Sequence, residues 1–217
     1  MFLCGRDSET RIPSHLGRLT ILKELVLIGC FVGEIPTEIF GLTMLTALCI
    51  NFANSPGGSI PASPGDLSYL KYWYFGYNGK KRLVDFWSCN RKAVLFKLTL
   101  ARILRNTLDL SGSLPTEIGL LSAATEVYLG SNSLTGTLPT EVGLMTSLYY
   151  FGVSRNLITG TIPSELGLIS GSFSLWLYDL DLTGTVPQEL CDLSGLSLRI
   201  TCGTISCPYD CSNCVCA

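Results

Sequence analysis

Leu148-Tyr-Tyr-Phe-Gly-Val-Ser-Arg-Asn156-Leu-Ile-Thr-Gly-Thr-Ile-Pro163-Ser-Glu-Leu-Gly167 is the stretch whose reading decides the fold. It holds apolar residues in an LxxLxLxx frame, then asparagine, then a glycine three residues ahead of an aliphatic-proline pair. The same pair recurs as Ile12-Pro13, Ile35-Pro36, Ile60-Pro61, Leu114-Pro115, Leu138-Pro139 and Val186-Pro187. In chain order the prolines are spaced 23, 25, 54, 24, 24 and 24 residues apart. Glycine stands three residues before most of them: Gly33, Gly58, Gly112, Gly136, Gly160 and Gly184. Glutamate stands two residues after at Glu38, Glu117, Glu141, Glu165 and Glu189. An apolar residue stands six after each, from Leu19 and Leu42 to Ile169 and Leu193. Asparagine falls seven residues before at Asn54, Asn132 and Asn156. The 54-residue gap reads as two units, one lengthened, with Asn78 in the asparagine slot and Asp85 in place of proline.

Self-similarity at this period means a stack of units that cannot bury their apolar faces alone. The unit resembles the 24-residue plant-type leucine-rich repeat, over about residues 12 to 200. The fold class the resemblance implies is α/β: a right-handed solenoid with a parallel concave sheet and short 3-10 or helical convex segments. The LxL core alternates with period two, so each unit contributes a short strand with its leucines turned inward. Asparagine can donate and accept at once and is suited to buried turns. Cys30 occupies its slot in one unit, and Leu180 in the last, where the turn should be less well bonded. The Ser or Thr and Glu after proline suit the first turn of a short convex helix or 3-10 segment, where carboxylates complement the helix dipole.

Residues 1–200 are expected to form about eight units, with an irregular stretch at 79–111. That stretch reads as an insertion, as an amphipathic helix, or as a misplaced gene boundary. It contains Leu95-x-x-Leu98-x-Leu100, which looks like a strand core. Leu3 and Arg6 fall where a strand leucine and a ladder residue belong, so the chain is expected to begin inside a repeat, without a polar cap and from an incomplete reading frame.

Residues 201–217 form a cysteine-rich tail, expected to cover the last sheet edge. Six of the ten cysteines, Cys191, Cys202, Cys207, Cys211, Cys214 and Cys216, lie in the final 27 residues. The tail resembles those of diatom leucine-rich repeat proteins. The six are disulfide candidates. Zinc is the alternative, from the spacing Cys211-x-x-Cys214, but no second such pair and only one histidine accompany it. Cys4, Cys30, Cys49 and Cys89 read as buried small hydrophobes. Disulfides point to an extracellular or cell-surface protein, although no signal peptide is visible.

The chain has 217 residues, 47% hydrophobic and 15% charged, with a formal net charge of -2. That excludes extensive disorder and leaves no basic field for nucleic acid. No uncharged apolar run is long enough for a transmembrane segment. His15 sits at a convex surface position, and the repeated glutamates recur one per unit rather than converging. With no nucleophile, phosphate-loop or HExxH motif, the reading is no enzyme, no cofactor and no metal. Slots beside the strand leucines are expected to face solvent on the concave sheet: Tyr72, Tyr74, Gly76 and Tyr77; Glu126, Tyr128 and Gly130; Tyr149, Tyr150, Gly152 and Arg155; Ser174, Trp176, Tyr178 and Asp179. Aromatic residues with polar tips suit a recognition surface. The expected function is a recognition module for a protein, peptide or glycan, receptor-ectodomain-like or inhibitor-like. The alternatives are a structural or ice-binding surface, using Thr135, Thr137, Thr159, Thr161, Thr183 and Thr185, and a fragment of a larger receptor.

Overall fold

A computed structural model of the chain describes residues 11–29, 33–52, 59–60, 66–75, 110–171 and 173–216. Its main sheet is wholly parallel and has eight strands. They are β1 (Glu24–Gly29), β2 (Ala47–Phe52), β3 (Tyr72–Phe75), β5 (Glu126–Tyr128), β7 (Tyr150–Gly152), β9 (Ser174–Leu177), β12 (Ser197–Ile200) and β14 (Cys214–Cys216). Each coil leaves its strand, turns, runs through a short extended segment to proline, and returns through a convex helical turn. The extended segments pair with one another: β4 (Ser111–Ser113) with β6 (Ser133–Thr135), β8 (Thr159–Gly160) with β10 (Asp181–Leu182), and β11 (Gly184–Thr185) with β13 (Ile205–Ser206).

Strand alternation builds the core. Leu25 and Leu27, Leu48 and Ile50, Trp73 and Phe75, Val127 and Leu129, Phe151 and Val153, Leu175 and Leu177, and Leu198 and Ile200 are wholly buried. One continuous apolar cluster runs from Ile12 to Cys211. The aliphatic residue before every repeat proline is also buried in it. At six of the prolines φ lies between -58° and -72°. The ring pre-sets that value, and the proline carbonyl then accepts the first bond of the convex turn, as in Val142 N–H to Pro139 at 3.2 Å. Among the described residues, the convex turns Ser14–Arg18, Thr37–Gly41, Thr116–Leu120, Thr140–Leu144 and Ser164–Leu168 are 3-10 helices, and Gln188–Cys191 is α-helical.

Glycine is required at two kinds of position in the coil, for different reasons. Gly160 lies at φ +85°, where a side chain is strained, and an added Cβ would stand 2.9 Å from Thr137 Cγ2. In the convex turn, a Cβ on Gly143 would stand 2.1 Å from the Glu165 carbonyl oxygen, so this glycine sets how closely adjacent turns approach.

Two expectations need correction here. The 54-residue spacing is not two units: Tyr72 to Tyr74 pair directly with Glu126 to Tyr128, so β3 and β5 are neighbours in the sheet. On the return side Ser59 bridges to Ser111, again with no strand between them. Pairing in both sheets thus passes directly from the coil of β3 to the coil of β5. Leu95, Leu98 and Leu100, like Leu3, Arg6, Cys30, Asn54 and Asn78, lie outside the described residues. The Ser or Thr and Glu after proline do stand in the first convex turn, with proline as the cap residue and no side-chain cap bond in these six turns. The Thr116 and Thr140 hydroxyls donate to the adjacent Glu117 and Glu141 carboxylates. The other correction is Cys49, which is not a free hydrophobe but half of a disulfide whose other half lies outside the described residues.

The tail extends the stack. Strand β14 pairs Cys214, Val215 and Cys216 with Leu198, Arg199 and Ile200, covering the edge of β12. Disulfides Cys191–Cys211, Cys202–Cys216 and Cys207–Cys214 tie it down. The two cysteines of the zinc-like spacing thus bond to different partners. The Asn213 amide donates to the Leu190, Cys191 and Leu193 carbonyls and joins the tail to the convex side.

Candidate functional site

Parallel register sets side chains of equal position into rows across the concave sheet. One row reads Val26, Cys49, Tyr74, Tyr128, Gly152, Trp176, Arg199 and Val215. The row beside it reads Glu24, Ala47, Tyr72, Glu126, Tyr150, Ser174 and Ser197.

The aromatic residues join into a ladder. Tyr74 and Tyr128 stack at 6.5 Å between ring centroids, and Tyr128 and Tyr150 at 5.9 Å. Tyr150 meets Trp176 edge-on at 5.1 Å, and Trp176 and Tyr178 are tilted at 6.1 Å. Such geometries are favoured by the ring quadrupole. Tyr150 belongs to the second row and reaches the first because Gly152 leaves room: a Cβ there would stand 2.5 Å from the Tyr150 hydroxyl oxygen.

Charges decorate the ladder. The Tyr74 hydroxyl donates to a Glu126 carboxylate oxygen. The Arg199 guanidinium sits 4.8 Å above the Trp176 ring, and that of Arg155 lies 5.6 Å from the Tyr178 ring. Arg155 also pairs with Asp179 at 3.3 Å. Both residues of that pair have left-handed backbone, at φ 59° and 53°, where the chain leaves the strand. Behind them, the buried Asn156 amide donates to the Leu129 and Val153 carbonyls at 3.0 and 2.7 Å, while its oxygen accepts from Leu134 N–H at 2.9 Å. Asn132 forms the preceding rung with Phe75, Leu129 and Leu110. Leu180 is buried in the same slot and supplies no such bonds.

Of the ten sequence-selected residues, Tyr74, Glu126, Tyr128, Tyr150, Arg155, Trp176, Tyr178 and Asp179 come together in this one surface. Tyr72 packs against its Tyr74 end, partly buried. Tyr149 stands apart, ahead of its strand and 62% exposed. Gly76 and Tyr77 lie outside the described residues. One expectation is corrected: Tyr74 and Tyr128 do not face solvent freely but are only 8% exposed each, because neighbouring rings cover them. Arg199, Val26 and Cys49 belong to the same row and were not selected from the sequence, whereas Gly152 was. Arg199 occupies the same LxL position, between Leu198 and Ile200, that selected Trp176 between Leu175 and Leu177.

Stacked coils, a parallel inner sheet and convex 3-10 turns define a leucine-rich repeat solenoid. No protein-family model and no curated protein matches the chain. Solved structures do. The plant peptide hormone receptor RGFR1 in complex with RGF2 is similar at 22% identity and TM-score 0.66, over 96% of this chain and 34% of that one. The leucine-rich repeat ectodomain of the Arabidopsis thaliana membrane receptor kinase GASSHO1/SCHENGEN3, in complex with Casparian strip integrity factor 2, is similar at 25% and 0.54, over 96% and 28%. A plant ice-binding protein is similar at 22% and 0.57, over 88% and 57%. The chain thus spans about a third or less of the two receptor chains. Among the described residues no helix is long and apolar enough to cross a membrane.

Proposed function

We propose that this chain is a non-enzymatic recognition module whose concave sheet holds a protein, peptide or glycan. The observation that carries the reading is the aromatic ladder from Tyr74 to Tyr178, five rings across four neighbouring strands and the turn after β9. Large rigid rings with polar tips provide contact area at little entropic cost. Tyr72, Glu126, Tyr149, Arg155 and Asp179 frame it. The peptide hormone in the RGFR1 complex supports a peptide as the first class to test. The disulfides support an extracellular or cell-surface setting. In this reading residues 1–200 are a solenoid of 24-residue plant-type units, and residues 201–217 are a cap akin to those of diatom leucine-rich repeat proteins. The chain acts as a receptor-like or inhibitor-like binding part, in which role a longer receptor is an equally natural context.

The test is capture of a partner by the full chain and by Tyr128→Ala with Trp176→Ala. The double variant keeps its circular dichroism and loses the partner. Undiminished capture by a folded double variant would remove the concave face from the account.

A second reading, ice binding, is favoured by the Ser and Thr rows along the β4–β6 side, where Ser113 pairs with Thr135 and Thr137 with Thr159. Thr159 and Thr183 also anchor their hydroxyls on the Gly136 and Gly160 carbonyls, which fixes their rotamers. Thermal hysteresis by the wild-type chain supports that reading, and its absence at high protein concentration rejects it.

A further inference from the structure

The back of the solenoid carries a second surface. Leu120, Leu144 and Leu168 end the convex turns Thr116–Leu120, Thr140–Leu144 and Ser164–Leu168 and are 61, 55 and 61% exposed. These turns lead into β5, β7 and β9, which are neighbours in the sheet, so the leucines form one line across three consecutive coils. The coil itself does not call for leucine there. The same position, five residues after the repeat proline, holds Arg18, Gly41, Asp66 and Asp192 in other coils. Arg18 and Gly41 end 3-10 turns of the same length. A single exposed leucine needs no explanation, but a line of three beyond the needs of the scaffold marks an interaction surface.

The flanks of the line select its partner. Side chains three residues apart eclipse one another in a 3-10 turn, so Glu117, Glu141 and Glu165 stand beside the three leucines. Close packing of the turns brings the next coil's acid near as well: an added Cβ on Gly119, the residue before Leu120, would stand 2.5 Å from the Glu141 carbonyl oxygen. After Leu110 the sequence has no basic residue but Arg155 and Arg199, and both lie against rings of the concave sheet. On the other flank Ser122, Thr146 and Ser170 are exposed and neutral. The spacing selects the partner's shape. Coils repeat at about 4.8 Å, and one stripe of an α-helix repeats every 5.4 Å or so, a drift of about 1 Å over three leucines. Same-side residues of an extended segment lie about 6.7 Å apart and drift by about 4 Å. A second copy of this face brings more carboxylates rather than bases, and a line one residue wide falls short of the roughly 800 Å² per partner of a stable interface. An anionic lipid surface is repelled by the same glutamates.

We propose that the line Leu120, Leu144 and Leu168 is a docking site for an amphipathic α-helix of a partner protein. The helix lies along the solenoid axis, its apolar stripe on the leucines and its Lys or Arg residues on the flank that faces Glu117, Glu141 and Glu165. This site is on the opposite side from the aromatic ladder and does not rest on the concave reading.

The test is fluorescence anisotropy of labelled helical peptides, about four turns long, titrated with the full chain. One peptide has a leucine stripe flanked by Lys, one has the same stripe flanked by Glu, and one has the Lys peptide's composition with the stripe scrambled. Vesicles of neutral and of anionic phospholipid serve as the lipid probe. The Lys-flanked peptide binds, more weakly as salt rises, and the other two peptides and the vesicles do not. Leu144→Ser, confirmed folded by circular dichroism, weakens binding about tenfold, the order expected from burying the exposed part of one leucine. Glu141→Lys with Glu165→Lys reverses the preference toward the Glu-flanked peptide. Tyr128→Ala with Trp176→Ala binds the Lys-flanked peptide like the wild type. Equal binding of the Lys- and Glu-flanked peptides, binding of the scrambled peptide, preference for vesicles, or no binding of any probe overturns the proposal. So does a dimer in sedimentation that Leu144→Ser dissociates, which would give the line to a second copy. Binding that survives in Leu144→Ser but is lost in the concave double variant overturns it while leaving the concave surface standing.

Discussion

Replacing Asn156 with alanine tests the turn-side scaffold behind the ladder. The Asn156 side chain makes three short bonds, to Leu134 N–H at 2.9 Å and to the Val153 and Leu129 carbonyls at 2.7 and 3.0 Å, and a longer one to Ser154 at 3.4 Å. These losses are not equal. The Leu129 carbonyl still accepts from Asn132, and that of Ser154 from Ser131 N–H at 2.9 Å. Leu134 N–H and the Val153 carbonyl lose their partner in a site where Asn156 itself is 6% exposed. Each buried group left unpaired costs about 1–3 kcal/mol, so the substitution should destabilise by roughly 2–5 kcal/mol. For a chain of this size that lowers the thermal midpoint by roughly 5–15 °C. The assay is thermal and urea unfolding followed by circular dichroism. Leu180→Asn is the converse: it offers the missing rung in the last slot and should cost far less than Asn156→Leu. A loss under about 1 kcal/mol for Asn156→Ala would refute the claim that the asparagine ladder holds the turns.

Other substitutions probe the stack. Leu129→Asp places a charge at a wholly buried position and should abolish the folded circular dichroism signal; a cooperative native-like transition would contradict the inward orientation of the strand residues. Gly143→Ala must displace the Glu165 backbone, 2.1 Å from the new Cβ, and should cost about 1–3 kcal/mol in urea unfolding, whereas Gly41→Ala, with nothing within 4 Å, should be near neutral. Removing Cys191–Cys211, which joins residues 20 apart, with paired serines should cost about 3 kcal/mol by the chain-entropy account; an unchanged midpoint would show that the tail does not brace the last coil.

The repeating scaffold could be read from spacing because each position has a local cause. Proline pre-sets its own φ, glycine alone tolerates the left-handed turn at Gly160, and alternation buries Val127 and Leu129 together. What spacing missed depends on contacts between units. The long gap before Pro115 looked like an extra coil because chain length was counted, whereas sheet pairing joins Tyr74 to Tyr128. Covered tyrosine faces depend on Gly152 admitting the Tyr150 ring from the adjacent row, which no periodicity records. Cys49 looked like a small hydrophobe because nothing local distinguishes it from half of a long-range disulfide. Arg199 stands in the LxL frame between Leu198 and Ile200, but the asparagine that marks the frame in earlier units is absent after it and is Leu180 in the unit before.

The most direct measurement of the central claim is amide hydrogen exchange of the full chain with and without its captured partner. The account predicts added protection in Glu126–Tyr128, Tyr150–Gly152, Ser174–Leu177 and Ser197–Ile200 and in the turns carrying Arg155 and Asp179. Protection confined to the convex turns Thr116–Leu120, Thr140–Leu144 and Ser164–Leu168, with those strands unchanged, would contradict it.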